Sequence, residues 1–188
     1  MNGLTGLILR VPVTDVPAGV VVSQFFGARP SAYKAYGLAG HEGIDYACPV
    51  GTTVVAAADG QVWRAGDSHG PWGVRVILKH EFGFTVYAHL SSVEVAPGQE
   101  VAAGQVLGKS GKSGNVTGPH LHFALALPEE RPGYACPAVM GAYWWHDPLL
   151  VGDAVMAVRG GALLILADDE HRHMRCRVSR VKPEGDVW

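Results

Sequence analysis

The chain has 188 residues, enough for one domain and a small appendage. With 15 Lys and Arg against 17 Asp and Glu, its net charge of −2 gives no basic footprint for nucleic acid. Gly (25) and Pro (12) together exceed the usual share while 48% of residues are hydrophobic, which excludes disorder and predicts many short strands joined by tight turns.

In chain order, the start MNGLTGLILRVPVTDVPAG lacks the pattern of a signal peptide, since its apolar run is short and Pro12 and Pro17 interrupt it. GVVVSQF at 19–25 reads as a strand, and FGARPSAYKAYGLAG after it as a loop. GIDYA is extended and CPVGT is a turn. TVVAAADGQVWRAG reads as two strands folded into a hairpin at Asp59-Gly60. WGVRVILKH and FGFTVYAHL form a further pair joined through Glu81-Phe82-Gly83. VEVAPGQEVAAGQVLGKSG gives short β pieces, and HLHFALAL closes the series before an irregular Pro- and Trp-rich stretch at 128–148. Strands at such short spacing predict an all-β, antiparallel architecture, a sandwich or barrel. Residues 151–188 read as a small C-terminal β extension. In HRHMRCRVSRV, Met174, Cys176 and Val178 share one face. His171, His173, Arg175 and Arg177 share the other, a solvated basic surface or else a contact for an anionic polymer. No run reaches the ~18 apolar residues of a membrane helix.

The chemistry concentrates in a few histidines. In TGPHLHFALAL, a strand puts His120 and His122 on one face, with Leu121 and Phe123 on the other. His41 and Asp45 in HEGID stand four apart, which places them together in a helix and also in an extended strand. Gly43 between them argues against a helix and leaves room before the pair. Two imidazoles and a carboxylate are good zinc donors, and three protein ligands leave a fourth position for water. In this extended reading Glu42 points to the opposite face. His89 ends the strand FTVYAHL, where a side chain can reach a cleft; with His120 it could flank the metal without binding it. His69, His80 and His146 lack companions at ligand spacing.

Several other chemistries fail on detail. The three cysteines Cys48, Cys136 and Cys176 form no CxxC. GKSGKSG is no phosphate loop, because the required upstream glycines are Ala103 and Val106. There is neither GxSxG nor HExxH. A biotinyl or lipoyl carrier would need one modified lysine on a hairpin beside a methionine or acidic neighbour, which Lys109 and Lys112 lack.

HEGIDYACPVGTTVVAAADGQV, YAHLS and VAPGQEVAAGQVLGKSGKSGNVTGPHLHF, across roughly residues 20 to 148, resemble the lysostaphin-type zinc metalloendopeptidases that cut peptide bridges of bacterial cell walls. The resemblance implies an antiparallel β core with long loops around an open cleft, and a catalytic domain over 19–150 after a lead-in of 1–18. It implies Zn²⁺ held by His41, Asp45 and His122, with His89 and His120 as the catalytic imidazoles. The implied substrate is peptidoglycan peptide, and the implied protein is a monomer. The implied place of action is the cell wall, reached as a phage endolysin or virion-associated lysin or from a processed precursor. Members of that family that have lost their metal ligands activate other wall hydrolases, which is the alternative function.

Overall fold

The computed structural model describes residues 9–14, 21–137 and 140–149. The C-terminal extension at 151–188 lies outside the described residues. The described residues form twelve strands: β1 (Val13–Thr14), β2 (Val21–Gln24), β3 (Ile44–Ala47), β4 (Thr53–Val55), β5 (Gly60–Asp67), β6 (Val74–Lys79), β7 (Phe84–Ala88), β8 (Leu90–Val93), β9 (Glu100–Val101), β10 (Val106–Ser110), β11 (His120–Leu127) and β12 (Trp144–His146). The larger sheet runs β2-β3-β11-β7-β6-β5-β9, with β12 added beside β11. The smaller runs β1-β4-β10-β8. Among the described residues every strand pairing is antiparallel, as the strand spacing predicted.

Alternation explains how the large sheet serves two purposes. On β11, Leu121, Phe123, Leu125 and Leu127 face a core shared with Val54, Leu90 and Leu107 of the smaller sheet. Ala124 and Ala126, on the opposite face, join a second cluster with Val86 and Trp145. His120 and His122 have the same parity as these alanines and line a cleft of about 830 Å³ on that side. The face away from the smaller sheet is therefore free to carry chemistry.

Three expectations are corrected. Asp59-Gly60 does not close a hairpin. β4 pairs with β1 and β10 in the smaller sheet, whereas β5 pairs with β6 and β9 in the larger. The intervening Ala56, Ala57 and Ala58 carry the chain between sheets, and Asp59 Oδ1 accepts from Ala103 N at 2.7 Å. The stretch after β2 is not all loop. Pro30–Tyr33 forms a single α turn, α1, continued by a 3₁₀ turn over Lys34–Tyr36. Pro30 at the first position presets φ for that turn. Finally, HLHFALAL does not close the β series, because β12 pairs Leu125–Leu127 with Trp144–His146.

The β6–β7 hairpin is as predicted, and it positions a buried polar chain. His80 Nδ1 donates to Asp59 O at 2.6 Å, and its Nε2 stands 2.7 Å from Thr85 Oγ1. Thr85 Oγ1 is 3.0 Å from Tyr87 Oη, which accepts from Ala57 N at 2.8 Å. Burial holds the His80 imidazole below its ordinary pKa, against the pull of the Asp59 carbonyl. The unfolded chain, with a pKa of about 6.5, then takes up a proton that the folded chain resists. Stability from this group is present above that pH and lost as pH falls below it. In urea unfolding, the advantage of the wild type over His80→Gln is expected to shrink as pH drops below about 6.5. A difference that stays constant from pH 8 to 5 would contradict the neutral assignment.

Candidate metal centre and cleft

β3 and β11 pair with His122 opposite Asp45, so register alone brings these two together. His41 precedes β3, and the chain bends at Glu42 and Gly43 before entering the strand. The bend swings the His41 ring onto the same pair. Gly43 is required by close approach: a Cβ there would lie 2.4 Å from Phe123 O and 2.8 Å from His122 Cε1.

The three residues meet at three atoms. His122 Nδ1 is 2.9 Å from Asp45 Oδ1 and 3.0 Å from His41 Nε2, and His41 Nε2 is 3.2 Å from Asp45 Oδ1. His41 and His122 are buried and Asp45 nearly so, at 1%, 3% and 9% exposure. Burial would raise the Asp45 carboxyl, but hydrogen bonds from His122 and His41 outweigh it and hold it well below the usual carboxylate range. For His122, burial works against protonation, yet the bond to Asp45 and the nearby Glu42 raise its pKa.

This donor set fits a metal ion. Two donors at about 2.0–2.2 Å from one tetrahedral ion stand roughly 3.3–3.6 Å apart, so the triangle would need only a slight opening. The His41 Nδ1–H donates to Phe25 O at 3.2 Å, which leaves Nε2 with its lone pair toward the cluster. His122 Nε2 is buried with no hydrogen-bond partner and lies 3.8 Å from Glu42 Oε1. If Nδ1 faces an ion, the proton belongs on that Nε2, directed at a carboxylate.

His89 and His120 flank the triangle, with ring centroids 4.8 Å apart. His120 Nδ1–H donates to Gly118 O at 2.9 Å, and its Nε2 lies 3.7 Å from Asp45 Oδ1. His89 Nδ1–H donates to Ser113 O at 2.9 Å. Both rings therefore keep an Nε2 lone pair. Burial, then the neighbouring His122, pull the His89 pKa down to about 4. His89 sits at φ 63°, a left-handed conformation uncommon outside glycine. Its backbone N–H is fixed to Trp72 O at 3.0 Å. The turn from β7 to β8 thus aims the ring into the cleft.

All five histidine and aspartate positions singled out in the sequence come to one place. His69, His80 and His146 do not join them. Glu42 corrects a further expectation. The bend, rather than an extended strand, turns it into the cleft, where it is 8% exposed and its Oε1 accepts from Trp72 Nε1 at 3.1 Å. Tyr33 on α1 was also missed. Its ring lies 5.3 Å from His41, and its hydroxyl accepts from Gln24 Nε2 at 2.7 Å. Burial and then Glu42 push the phenol up to about 12. Pro30 inside an Ala- and Tyr-rich loop was the available signal for the turn that carries it.

A two-sheet β-protein with a His₂Asp donor triangle on the floor of an open cleft has the arrangement of a group that could hold a metal ion. The model of Peptidase family M23 matches residues 39–132, half of the chain, and the chain belongs to that family. It is 44% identical over 91 residues to "Peptidoglycan DD-endopeptidase ShyA" of Vibrio cholerae, covering 48% of this chain and 21% of that one. Among solved structures, a "zinc containing peptidase" from Vibrio cholerae is 31% identical with a TM-score of 0.54, covering 63% of this chain and 36% of the other. The catalytic domain of the antimicrobial peptidase lysostaphin from Staphylococcus simulans is 31% identical with a TM-score of 0.50, covering 59% of this chain and 77% of that domain. The chain spans about a fifth of the length of the curated relatives it matches (21% and 20%). No helix among the described residues is long and apolar enough to cross a membrane.

Proposed function

We propose that this chain is a zinc-dependent endopeptidase that hydrolyses peptides of bacterial peptidoglycan at the cell wall. Residues 19–150 would carry the catalytic unit. His41, Asp45 and His122 would hold the ion, and the observation that carries the reading is their three donor atoms within 3.2 Å of one another in a buried floor. When bound, zinc supplies a Lewis acid that polarises an amide carbonyl and makes water acidic enough to react near neutral pH.

The remaining chemistry belongs to the chain. His89 and His120 present lone pairs at Nε2, so either can accept a proton from water. Once protonated, the same nitrogen donates to the oxyanion or to the departing amine. Their Nδ1–H groups are tied to the carbonyls of Ser113 and Gly118, which fixes both tautomers and ring planes. Burial, then His122, hold the His89 pKa down, so its ring is neutral near pH 7. Tyr33 keeps its proton throughout and can donate toward the cleft. Asp45, His120 and His122 stand on the paired strands β3 and β11, whose register fixes their spacing.

The test is digestion of purified walls by the full chain, with and without a chelator, followed by zinc add-back. Soluble peptide products are expected with metal, none after chelation, and recovery on zinc addition. A metal-loaded protein that binds walls but releases no peptide would instead support the activator function.

A further inference from the structure

The cleft extends well beyond the histidines, along β5 and β6, and its lining there is cationic. Trp63, Arg64 and Arg75 line this arm. Trp63 and Arg64 are consecutive, so in a regular strand only one could face the cleft. A β-bulge between Val62 and Arg64 breaks the register of β5 with β6 and turns both outward onto the same side. Arg75 on β6 stands opposite Gly66, whose missing side chain leaves space over the sheet. Trp63 is fixed by Phe84 beneath it, with ring centroids 5.1 Å apart, and the Arg64 guanidinium lies 4.9 Å above the Trp63 ring.

Among the described residues, neither guanidinium group forms an ion pair with a carboxylate; every ion pair there joins a histidine to an acid. Arg75 Nε is buried and has no hydrogen-bond partner among the described residues. Burial and then Arg64 disfavour its charge. Asp67, whose charge favours protonated Arg75, forms no ion pair with it and contacts His69 instead: its Oδ1 accepts from His69 N at 2.8 Å and its Oδ2 is 3.7 Å from His69 Nδ1. The acids that line the cleft, Glu42 and Asp45, sit within the histidine cluster. A half-buried guanidinium with an orphaned donor, next to a like charge, is costly unless an anion arrives to pair with it.

We infer that Arg64 and Arg75 form a carboxylate-binding subsite, so that the peptide cleaved here carries a free carboxylate over β5–β6, as wall stem peptides do and neutral glycine bridges do not. The inference rests on the proposed peptidase reading and narrows its substrate class. Arginine suits the task, because its planar fork meets both oxygens of one carboxylate. Trp63 adds an apolar wall that lowers the local dielectric around the ion pair.

Three peptides test it: a cross-linked stem-peptide dimer with free carboxylates, the same dimer amidated, and pentaglycine. With the full zinc-loaded chain, the amidated dimer and pentaglycine are expected to show a KM roughly tenfold to a hundredfold above that of the free dimer. Arg75→Met should raise the KM of the free dimer by a similar factor, leave its kcat nearly unchanged, and leave the amidated dimer unaffected. Arg64→Met should do the same in smaller measure, and Arg75→Lys should restore only part of the loss. Equal KM values for free and amidated dimers, or an equal effect of Arg75→Met on both, would overturn the subsite. So would an Arg75 effect seen only on whole walls bearing phosphate polymers. If the wild type cleaves none of the peptides, the peptidase reading fails. Calorimetric binding of the free and amidated dimers to wild type and Arg75→Met still decides the subsite.

Discussion

His122→Ala is expected to lose metal and turnover together, whereas His120→Ala is expected to keep the metal and lose turnover. The two residues are separated by one leucine, share a sheet face and differ in what surrounds them. His122 is 3% exposed, and its Nδ1 lies within 3.0 Å of both Asp45 and His41. Removing it deletes one corner of the triangle and leaves the buried Asp45 carboxylate without its 2.9 Å partner. His120 stands outside: its Nε2 lies 3.7 Å from Asp45 Oδ1, and its Nδ1 is tied to Gly118 O. Its loss leaves all three donors in place. For a proton-transferring imidazole the expected fall in kcat is about 10²- to 10⁴-fold. Metal content by atomic emission and peptide hydrolysis by chromatography, on the same purified proteins, separate the two cases. Equal metal loss in both variants would move the ligand role from His122 to the pair.

The parts of the molecule that were legible in the sequence are those fixed by local alternation. HLHFALAL states its own geometry: leucines and phenylalanine face the shared core, while on the other face the histidines line the cleft and the alanines pack in the cluster with Trp145. The β6–β7 hairpin is equally local, because its turn and both strands are contiguous. What was missed depends on partners distant in sequence. Asp59-Gly60 carries the composition of a tight hairpin, but β4 finds its neighbours in β1 and β10, and the chain crosses between sheets instead. The Trp63–Arg64 bulge exists only relative to β6, so no reading of β5 alone places both side chains on one face. The pairing of His41 with Asp45 came out as expected, but through a bend rather than an extended strand. That same bend reverses the predicted orientation of Glu42 and brings it to Trp72 and His122. A period-2 argument holds only while the strand lasts, and here the strand begins at Ile44.

That bend makes Gly43 the second position with a large expected effect. Gly43→Ala adds one methyl group, usually a benign change where the backbone is ordinary. Here the added carbon would fall 2.4 Å from Phe123 O, 2.8 Å from His122 Cε1 and 3.0 Å from Ala124 Cβ. The first of these is a backbone atom of β11, the strand paired with β3 on one side and β7 on the other, so it has no room to withdraw. The contact must be relieved by moving the His41–Asp45 segment away from β11. Overpacking of this kind costs about 1–3 kcal/mol, visible as a lower urea midpoint with an unchanged slope. The same displacement separates His41 from His122, so metal affinity should fall as well, in a protein that still folds. A variant with wild-type metal affinity would show that the approach of Gly43 to β11 is not what sets the triangle. Serine at this position should behave like alanine, because the first carbon alone makes the clash.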